Sequence, residues 1–349
     1  MSKKAYVGLS GGVDSAVSAA LLKRGGYDVV GVFIKIWQPE FIECTWEKDR
    51  IDAMRVAVAL DIPFREIDLS DEYKRDVVER MVESYRTGET PNPDVTCNER
   101  VKFGSFYDWA RADGADMVAT GHYARIQKAE DGSYGLYRGV DAEKDQSYFL
   151  HRVSRDHLPY ILFPVGGLHK SDVRELARSM RLPVAQKHDS QGLCFVGDVS
   201  MRDFLRRYID VKEGDVLSTS GEVIGTHDGA ALYTVGQRHG FRIAVAEPAK
   251  PHYVVRIDAT LNAITVSDKR EDTEVLEARL VDLHWLQDLE MPPTAEGQSR
   301  YREQIFTMVL RQDSRDKCIA IFNSPHTVSK GQSLVVYRGE LCLGGGRIA

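Results

Sequence analysis

The stretch "VGLSGGVDS", residues 7–15, decides the fold of this 349-residue chain. It continues the strand-like segment "AYVGL" (5–9) and leads into an Ala- and Leu-rich segment over 14–24 that predicts a helix. The paired glycines permit a tight turn and leave no Cβ in the way of a ligand. Loop amides, the helix N-terminus and the hydroxyls of Ser10 and Ser15 can then converge on an anion. The motif therefore predicts a phosphate-binding loop at the first strand-to-helix turn.

Two other phosphate-binding motifs do not fit this stretch. A Walker A loop needs a lysine after its glycines, and a Rossmann fingerprint needs the spacing GxGxxG. Residues 7–15 have neither. A glycine turn without a ligand is the simpler alternative, but the combination SGGxDS at this turn favours a nucleotide site.

Strand and helix patterns alternate outward from the loop through the first half of the chain. The predicted strands are "DVVGVFIKI" (28–36), "FREIDL" (64–69) and "DMVAT" (116–120), and helices are predicted over 46–60, 71–86 and 101–113. In the helix over 46–60 we expect Ile51, Met54 and Val58 to share the buried face, since they are spaced i, i+3, i+7. The alternation predicts an α/β domain with a doubly wound parallel sheet.

The pattern changes after Gly121. We predict a hairpin turning at Asp131-Gly132 and a further helix in 169–181. From about Val211 glycines and short β segments dominate, and further short strands follow Glu277, which is typical of small β domains. The predicted layout is an N-terminal domain over 1–208, a small central β domain over 209–272 and a C-terminal β barrel over 273–349.

Composition limits the class of protein. Apolar residues make up 43% and charged residues 28%, as in soluble globular proteins. No apolar run approaches the roughly 18 to 20 residues of a membrane span, and "MSKKAYVGLS" has no signal-peptide core. We therefore expect a cytoplasmic protein with no membrane partner. The net charge of −6 leaves nucleic-acid binding open, because a local basic face suffices for it.

The five cysteines are scattered and form no CxxC pair. This distribution argues against a disulfide scaffold and against a zinc finger or ribbon, and no metal ligand is predicted from it. Cys318 and Cys342 alternate with apolar residues and are predicted to be core thiols, whereas Cys44 lies in no motif and is assigned no role. Cys97 alone would be interpreted as a small buried thiol.

The SGGxDS loop resembles that of the PP-loop ATP pyrophosphatases, which are adenine nucleotide alpha-hydrolase-like in fold. The resemblance implies that ATP is cleaved between its α- and β-phosphates and that Asp14 lies near a Mg²⁺-bound pyrophosphate. The implied ATP-binding residues are Gly8, Leu9, Ser10, Gly11, Gly12, Val13, Asp14, Ser15, Ile34 and Gly121. Without the resemblance, Ile34 would be an ordinary core residue of a strand.

Further stretches resemble one branch, the tRNA-specific 2-thiouridylases of the MnmA family. They occur in order along the chain: "PNPDVTCN" (91–98), "ATGHYAR" (119–125), "KDQSYFL" (144–150), "HDSQGLCFVG" (188–197), "YTVGQRHG" (233–240) and "GELCLGGG" (339–346). The three-part layout of that family also fits. The resemblance implies adenylation of the C2 oxygen of the wobble uridine (U34), then sulfur transfer that yields 2-thiouridine, AMP and pyrophosphate.

The resemblance also assigns catalytic roles. Cys194 corresponds to the persulfide carrier of the family, and Cys97 to the nucleophile that ends in a transient disulfide with it. Asp94 corresponds to the general acid/base; an Asx-type turn is its structural alternative. The implied partners are tRNA and a persulfide donor, either a sulfur-carrier protein or a cysteine desulfurase.

The residues that the resemblance places against tRNA are Asn92, Pro93, Asp94, His122, Lys144, Asp145, Gln146, Tyr301, Arg302 and Gln332. Several have plain alternatives without it. His122 would be a capping histidine, the run 144–146 a solvated turn, and 301–302 an exposed part of a barrel strand.

Three other functions each fit part of the sequence. A PP-loop ligase or amidotransferase acting on a small molecule needs no cysteine pair and has no C-terminal barrel. A PP-loop class that inserts sulfur with an iron–sulfur cluster needs CxxC pairs, which are missing here. A non-enzymatic tRNA-binding module would not need an intact SGGxDS loop. The sequence leaves the preferred tRNAs, the sulfur donor and the attacking sulfur species open.

Overall fold

The computed structural model describes residues 2–41, 46–188, 199–244, 250–287, 293–314 and 316–349. Cys44 and Cys194, and with them most of the motif at 188–197, lie outside the described residues. Within these ranges no helix has the length and apolar character needed to cross a bilayer.

The N-terminal region is built on a parallel sheet. The strands before residue 170 are β1 (Lys4–Gly8), β2 (Asp28–Lys35), β3 (Phe64–Asp68), β4 (Met117–Ala119), β5 (Ala124–Lys128), β6 (Tyr134–Arg138) and β7 (Ile161–Leu162). The sheet has the order β3-β2-β1-β4-β7, with parallel pairing throughout. Strand order reverses beside β1, so the loop that follows β1 lies at the switch point where such sheets bind ligands.

Helices flank this sheet and extend beyond it. They are α1 (Val13–Arg24), α2 (Trp46–Ala59), α3 (70–86), α4 (93–112), α5 (Lys170–Ser179) and α6 (Met201–Leu205). Helices α3 and α4 are each interrupted by π-helical turns, over Lys74–Glu79 and Cys97–Ser105. Short 3-10 turns occur at Ser147–Leu150, Arg155–Tyr160, Ala230–Leu232 and Arg270–Thr273.

Both faces of the sheet are covered, as a doubly wound fold requires. Ala5 and Val7 of β1 pack in one apolar cluster with residues of α1, α2 and α5. Tyr6, which points to the other face, packs in a second cluster with residues of α3 and α4. The alternation of β1 side chains between two buried layers is what a central parallel strand shows. The predicted fold class is confirmed.

The predicted buried face of α2 is wrong. Ile51, Met54 and Val58 are 46%, 38% and 80% exposed, whereas Ala53, Val56 and Ala57 are buried. The helix therefore packs on the sheet through small residues spaced i, i+3, i+4, which let it approach closely. The prediction relied on the largest apolar residues of the helix, but large apolar residues are also common on protein surfaces.

The central region is a second sheet. Its strands are β8 (Gly214–Leu217), β9 (Val223–His227), β10 (Phe241–Ile243), β11 (Tyr253–Asp258) and β12 (Ala263–Ser267), in the order β10-β9-β8-β12-β11. Neighbouring strands are antiparallel except for the parallel pair β8 and β12.

The C-terminal region is a closed antiparallel barrel. Its strands are β13 (Glu274–Trp285), β14 (Thr294–Gln298), β15 (Phe306–Ser314), β16 (Lys317–Thr327), β17 (Ser333–Arg338) and β18 (Leu341–Ile348). Pairing of β13 with β18 closes it. Cys318 and Cys342 are fully buried core thiols, as predicted.

One hairpin crosses from the N-terminal region into the barrel. Strands β5 and β6 form the predicted hairpin around Gly132, which has a φ of 87°. Strand β6 also pairs with β18, where Cys342 is opposite Leu136. The two regions thus share hydrogen-bonded strands, and the domain limits at 208 and 272 stay a prediction.

Candidate active site

The loop between β1 and α1 forms the centre of the site. Gly11 has a φ of 73°, which an L side chain rarely adopts, and Gly12 is the N-cap of α1 without a side-chain cap. The Ser15 hydroxyl donates to the Gly12 carbonyl at 3.1 Å and lies 3.2 Å from the Ser10 hydroxyl. The first amides of α1 have no intrahelical acceptor, so the loop presents donors to an anion.

Gly121 brings the end of β4 against this loop. A Cβ on Gly121 would lie 2.7 Å from the Ser15 amide nitrogen and 2.8 Å from the Asp14 carbonyl carbon. Only glycine permits that approach, which explains the glycine in "ATGHYAR". Ile34 on β2 lies beside the loop as well, with its Cδ1 3.6 Å from where a Cβ on Gly8 would be.

Asp14 is held by two residues that the sequence did not single out. Lys170 Nζ lies 2.7 and 2.9 Å from the Asp14 carboxylate oxygens, and the Tyr123 hydroxyl donates to Oδ1 at 2.8 Å. Lys170 is the first residue of α5, which packs against α1. This lysine places a positive charge at the mouth of the phosphate loop, although no lysine follows the glycines in sequence.

Helix α4 begins earlier than predicted, at Pro93, and includes most of the motif "PNPDVTCN". Asn92 is its N-cap: Oδ1 accepts hydrogen bonds from the amides of Asp94 and Val95 at 3.2 and 3.4 Å. Pro93 occupies the first helical position, where its missing N–H costs nothing. The expected start at Val101 is therefore wrong, and Cys97 lies within the helix, buried, rather than before it.

A short relay of polar side chains runs from α4 to the end of β4. Lys102 Nζ lies 3.5 Å from His122 Nε2, and His122 Nδ1 is 2.7 Å from the Thr120 hydroxyl. Burial raises the pKa of Asp94, and the charge of Lys102 opposes that rise. Burial holds the pKa of His122 well below 6.5, with Lys102 acting in the same direction.

The relay and the phosphate loop meet at one place, because Gly121 is the residue between Thr120 and His122. Lys102, which is on the same helix as Asp94 and Cys97, thus contacts His122 beside Gly121, where the end of β4 lies against Asp14 and Ser15. Helix α4, which carries Asp94 and Cys97, therefore reaches the strand end that packs on the phosphate loop.

The loop that precedes α4 is anchored by the barrel and the central sheet. The Thr90 amide donates to the Lys330 carbonyl at 2.7 Å, and the Thr90 hydroxyl lies 3.1 Å from that of Thr234. Gln332 Nε2 donates to the Thr90 and Pro91 carbonyls at 2.8 and 3.3 Å. Gln332, predicted to contact tRNA, therefore also positions the "PNPD" loop.

An ion pair reinforces this anchor. Arg347 Nη1 lies 3.0 Å from both carboxylate oxygens of Glu89, which also attracts Lys330 Nζ at 3.7 Å. Neither Glu89 nor Arg347 belongs to a motif, and 258 positions separate them. No local sequence pattern predicts this contact.

The run 144–146 is ordered by internal bonds. The Asp145 carboxylate accepts from Arg138 Nη1, the amides of Gly139 and Ser147, and the Ser147 hydroxyl, all at 2.9–3.0 Å. Gln146 Oε1 accepts from the Tyr123 amide at 2.9 Å, next to the residue that binds Asp14. Lys144 is partly exposed at the edge of this turn.

Tyr301 and Arg302 lie at the surface of the barrel beside the N-terminal region. The Tyr301 ring is 4.6 Å from that of Phe149, and the Arg302 guanidinium lies 5.1 Å from the Tyr301 ring centre. Arg302 Nε donates to the Glu143 carbonyl at 3.2 Å. These contacts bring the barrel pair next to the run 144–146, as a shared binding surface would require.

A cavity of about 400 Å³ adjoins the "PNPD" loop. Its walls include Asn92 and Pro93 from α4, Arg80 and Arg100 from α3 and α4, and Arg347 from the barrel. Glu99 and Asp282 also line the cavity, and its arginines are ion-paired, as Arg100 is with Glu99 and Arg347 with Asp282.

Family models match almost the entire chain. The description "tRNA methyl transferase HUP domain" matches residues 3–198, "tRNA methyl transferase PRC-barrel domain" residues 202–268, and "Aminomethyltransferase beta-barrel domain" residues 276–348.

Curated relatives match over almost their full length. A tRNA-specific 2-thiouridylase MnmA of Listeria monocytogenes is 40% identical, covering 99% of this chain and 94% of the relative. One of Pasteurella multocida is 40% identical, covering 99% and 93%. Among solved structures, an NMN synthetase from Francisella tularensis has a TM-score of 0.36 at 20% identity, covering 54% and 67%, and supports no inference at that level.

Proposed function

Because the chain belongs to the family of tRNA-specific 2-thiouridylases, we propose that it converts the wobble uridine of tRNA into 2-thiouridine at the expense of ATP. The C2 oxygen is a poor leaving group until ATP adenylates it; pyrophosphate leaves first, and AMP leaves when sulfur attacks C2. The observation that carries the proposal is the contact of Lys102, on the helix that bears Asp94 and Cys97, with His122 beside the phosphate loop.

The phosphate loop fits ATP. The cradle formed by Gly8, Leu9, Ser10, Gly11, Gly12, Val13, Asp14 and Ser15 presents backbone amides and hydroxyls, and the N-terminus of α1 adds a positive potential. Ile34 and Gly121 border the same loop and would face the adenosine.

We propose that Mg²⁺ accompanies the nucleotide and is held mainly by its phosphates. Among the described residues no three His, Cys, Asp or Glu side chains come together as a metal site. Asp14 is the carboxylate at the loop, and Mg²⁺ commonly uses one or two carboxylates with substrate phosphates. Lys170, 2.7 Å from Asp14, would then offset charge on the departing pyrophosphate.

Asp94 suits the acid/base role because burial raises the pKa of its carboxyl. A carboxyl whose pKa is moved towards neutrality can both accept and return a proton. The charge of Lys102, which also contacts His122, opposes this rise in the pKa of Asp94. His122 remains neutral, since burial lowers its pKa, and is proposed to shape the tRNA side of the pocket.

The two-cysteine scheme assigns Cys194 the persulfide and Cys97 the nucleophile. Cys97 Sγ attacks the inner sulfur of the persulfide, which breaks the S–S bond of the persulfide and forms a Cys97–Cys194 disulfide. The outer sulfur goes to C2, either directly or as hydrosulfide. A thiol reductant must then restore both cysteines. The sulfur is supplied by a sulfur-carrier protein or a cysteine desulfurase.

The chain before residue 189 is anchored beside the phosphate loop. Lys187 Nζ lies 2.7 Å from carboxylate oxygens of both Asp49 and Asp52 on α2. The Asp49 backbone in turn packs against Gly11 of the phosphate loop.

The tRNA is proposed to approach from the side of the barrel. Asn92, Pro93 and Asp94 would meet the flipped base, and Tyr301 and Arg302 offer an aromatic ring and a charge for the backbone. The remaining proposed contacts are His122, Lys144, Asp145, Gln146 and Gln332. Asp145 and Gln332, whose polar atoms are engaged internally, would act by fixing the surface.

We favour thiolation over methyl transfer because an ATP-type phosphate loop and two motif cysteines serve sulfur insertion. The rival is ATP-dependent ligation of a small molecule. The experiment measures pyrophosphate and AMP release with and without unmodified tRNA, in the wild type and in Asp14→Asn. We expect release that requires tRNA and is lost in the variant; release that ignores tRNA would favour the rival.

A further inference from the structure

A second basic groove lies between the central sheet and the barrel. Its volume is about 400 Å³, and its walls carry Arg238, Arg270 and Arg300 together with Tyr253 and His326. Its surface is mainly polar, unlike that of a site for an apolar ligand. The proposed chemistry does not use this groove.

The guanidinium groups of two of these arginines are available. Among the described residues, Arg238 and Arg270 make no ion pair or side-chain hydrogen bond, and both are exposed. Most arginines around them are paired; Arg202 and Arg206, for example, both bind Asp228. Unpaired, exposed guanidinium groups that share a groove are suited to phosphate oxygens.

The acidic residues of the groove do not neutralise it. Glu303 and Glu274 also line it. The Glu303 carboxylate already accepts from the Ser299 amide and hydroxyl and from the Arg300 amide at 2.8–3.0 Å, so it holds the turn 299–303. Three guanidinium groups therefore face two carboxylates, one of which is engaged.

The groove is continuous with the proposed tRNA surface. Arg300 Nη2 donates to the Ser329 hydroxyl at 3.2 Å. The next residue, Lys330, accepts from the Thr90 amide at 2.7 Å, two positions before Asn92. Tyr301, already proposed to contact tRNA, follows Arg300 directly.

We infer that this groove binds phosphates of the tRNA backbone outside the reacting nucleotide. Phosphate contacts of this kind fix the register of an RNA without reading its sequence. This inference rests on the proposed function, since it assigns the groove to the same substrate. The contact would align the anticodon arm so that the base enters beside Asp94.

The test compares Arg238→Gln/Arg270→Gln with a control of equal charge change, Arg279→Gln/Arg311→Gln. Both control residues are exposed, and both are opposite Ile319 on β16. Thr327, which lines the groove, is eight positions further along that strand, roughly 26 Å at about 3.3 Å per residue.

The affinity for unmodified tRNA is measured by fluorescence anisotropy from 50 to 200 mM salt, with thermal unfolding as the check on folding. The slope of log affinity against log salt concentration should be smaller by about 1.8 when two phosphate contacts are lost. A fourfold increase in salt should then weaken tRNA binding by the groove variant about 12-fold less than binding by the wild type. The control should keep the wild-type slope.

Equal slopes in the groove variant and the control would overturn the inference. If both double variants showed the same reduced slope, the arginines would act only through general charge attraction. A wild type that binds no tRNA would instead contradict the proposed function, so the two failures are distinguishable.

Discussion

Replacing Gly121 with alanine should disable the phosphate loop without touching any polar group. The added Cβ would lie 2.7 Å from the Ser15 amide nitrogen and 2.8 Å from the Asp14 carbonyl carbon. Ordinary contacts begin at about 3.4 Å, so the end of β4 and the loop must separate by about 0.7 Å. Both partners are backbone, so no side-chain rotation can relieve the contact.

The size of the effect follows from that displacement. Misplacement of reacting groups by about 1 Å can cost about 10²-fold in rate, and overpacking costs about 1–3 kcal/mol of stability. We therefore expect tRNA-dependent AMP formation by Gly121→Ala to fall by up to about two orders of magnitude. The unfolding temperature should fall by several degrees.

Gly167→Ala is the matched control. A Cβ on Gly167 meets no atom within 4 Å. Its AMP formation should equal that of the wild type, and its stability should be unchanged or slightly higher, because alanine restricts the unfolded chain. If Gly121→Ala keeps full activity, or if both variants lose it equally, the close approach at the phosphate loop is not what the site requires.

Three further changes test other parts of the site. Lys170→Met should lower the rate of AMP formation at least tenfold at saturating ATP, while anisotropy shows tRNA affinity unchanged. Asp94→Asn should abolish product. It should also raise the unfolding temperature at pH 8, because the raised pKa of the half-buried Asp94 carboxyl means that the ionised form is disfavoured in the folded state, and this gain should vanish towards pH 4. Exposed Asp108→Asn should show neither effect. Arg347→Gln leaves Glu89 without its closest cation, so the free energy of unfolding measured in urea should fall by about 1 kcal/mol. The variant should have a lower kcat, with a smaller change in the KM for tRNA.

The sequence predicted the architecture well because its signals are local. Alternating strand and helix patterns, the glycine pair and the hairpin at Gly132 each depend on neighbours within a few residues. The parallel first sheet and the C-terminal barrel were predicted from these local patterns. The buried face of α2 was missed because Ala53 and Ala57 carry no strong apolar signal, although they permit the closest packing.

The candidate site was predictable only where residues belong to motifs. Lys170, which lies in no motif, binds Asp14 across 156 positions. Tyr123 belongs to "ATGHYAR", but its neighbours in sequence do not reveal that its hydroxyl meets Asp14, 109 positions away. The start of α4 was missed for a different reason. Asn92 and Pro93 precede the helix predicted over 101–113, although a capping side chain followed by proline at the first position is also how a helix begins.

The central claim is that this chain places sulfur on C2 of a tRNA uridine through Cys97 and Cys194. The most direct measurement is mass spectrometry of nucleosides from tRNA incubated with the protein, Mg²⁺-ATP, a persulfide donor and reductant. Wild type and Cys44→Ser should yield 2-thiouridine, whereas Cys97→Ser and Cys194→Ser should yield none while still binding tRNA. Absence of 2-thiouridine from the wild type, or full yield from either Cys97→Ser or Cys194→Ser, would contradict the account.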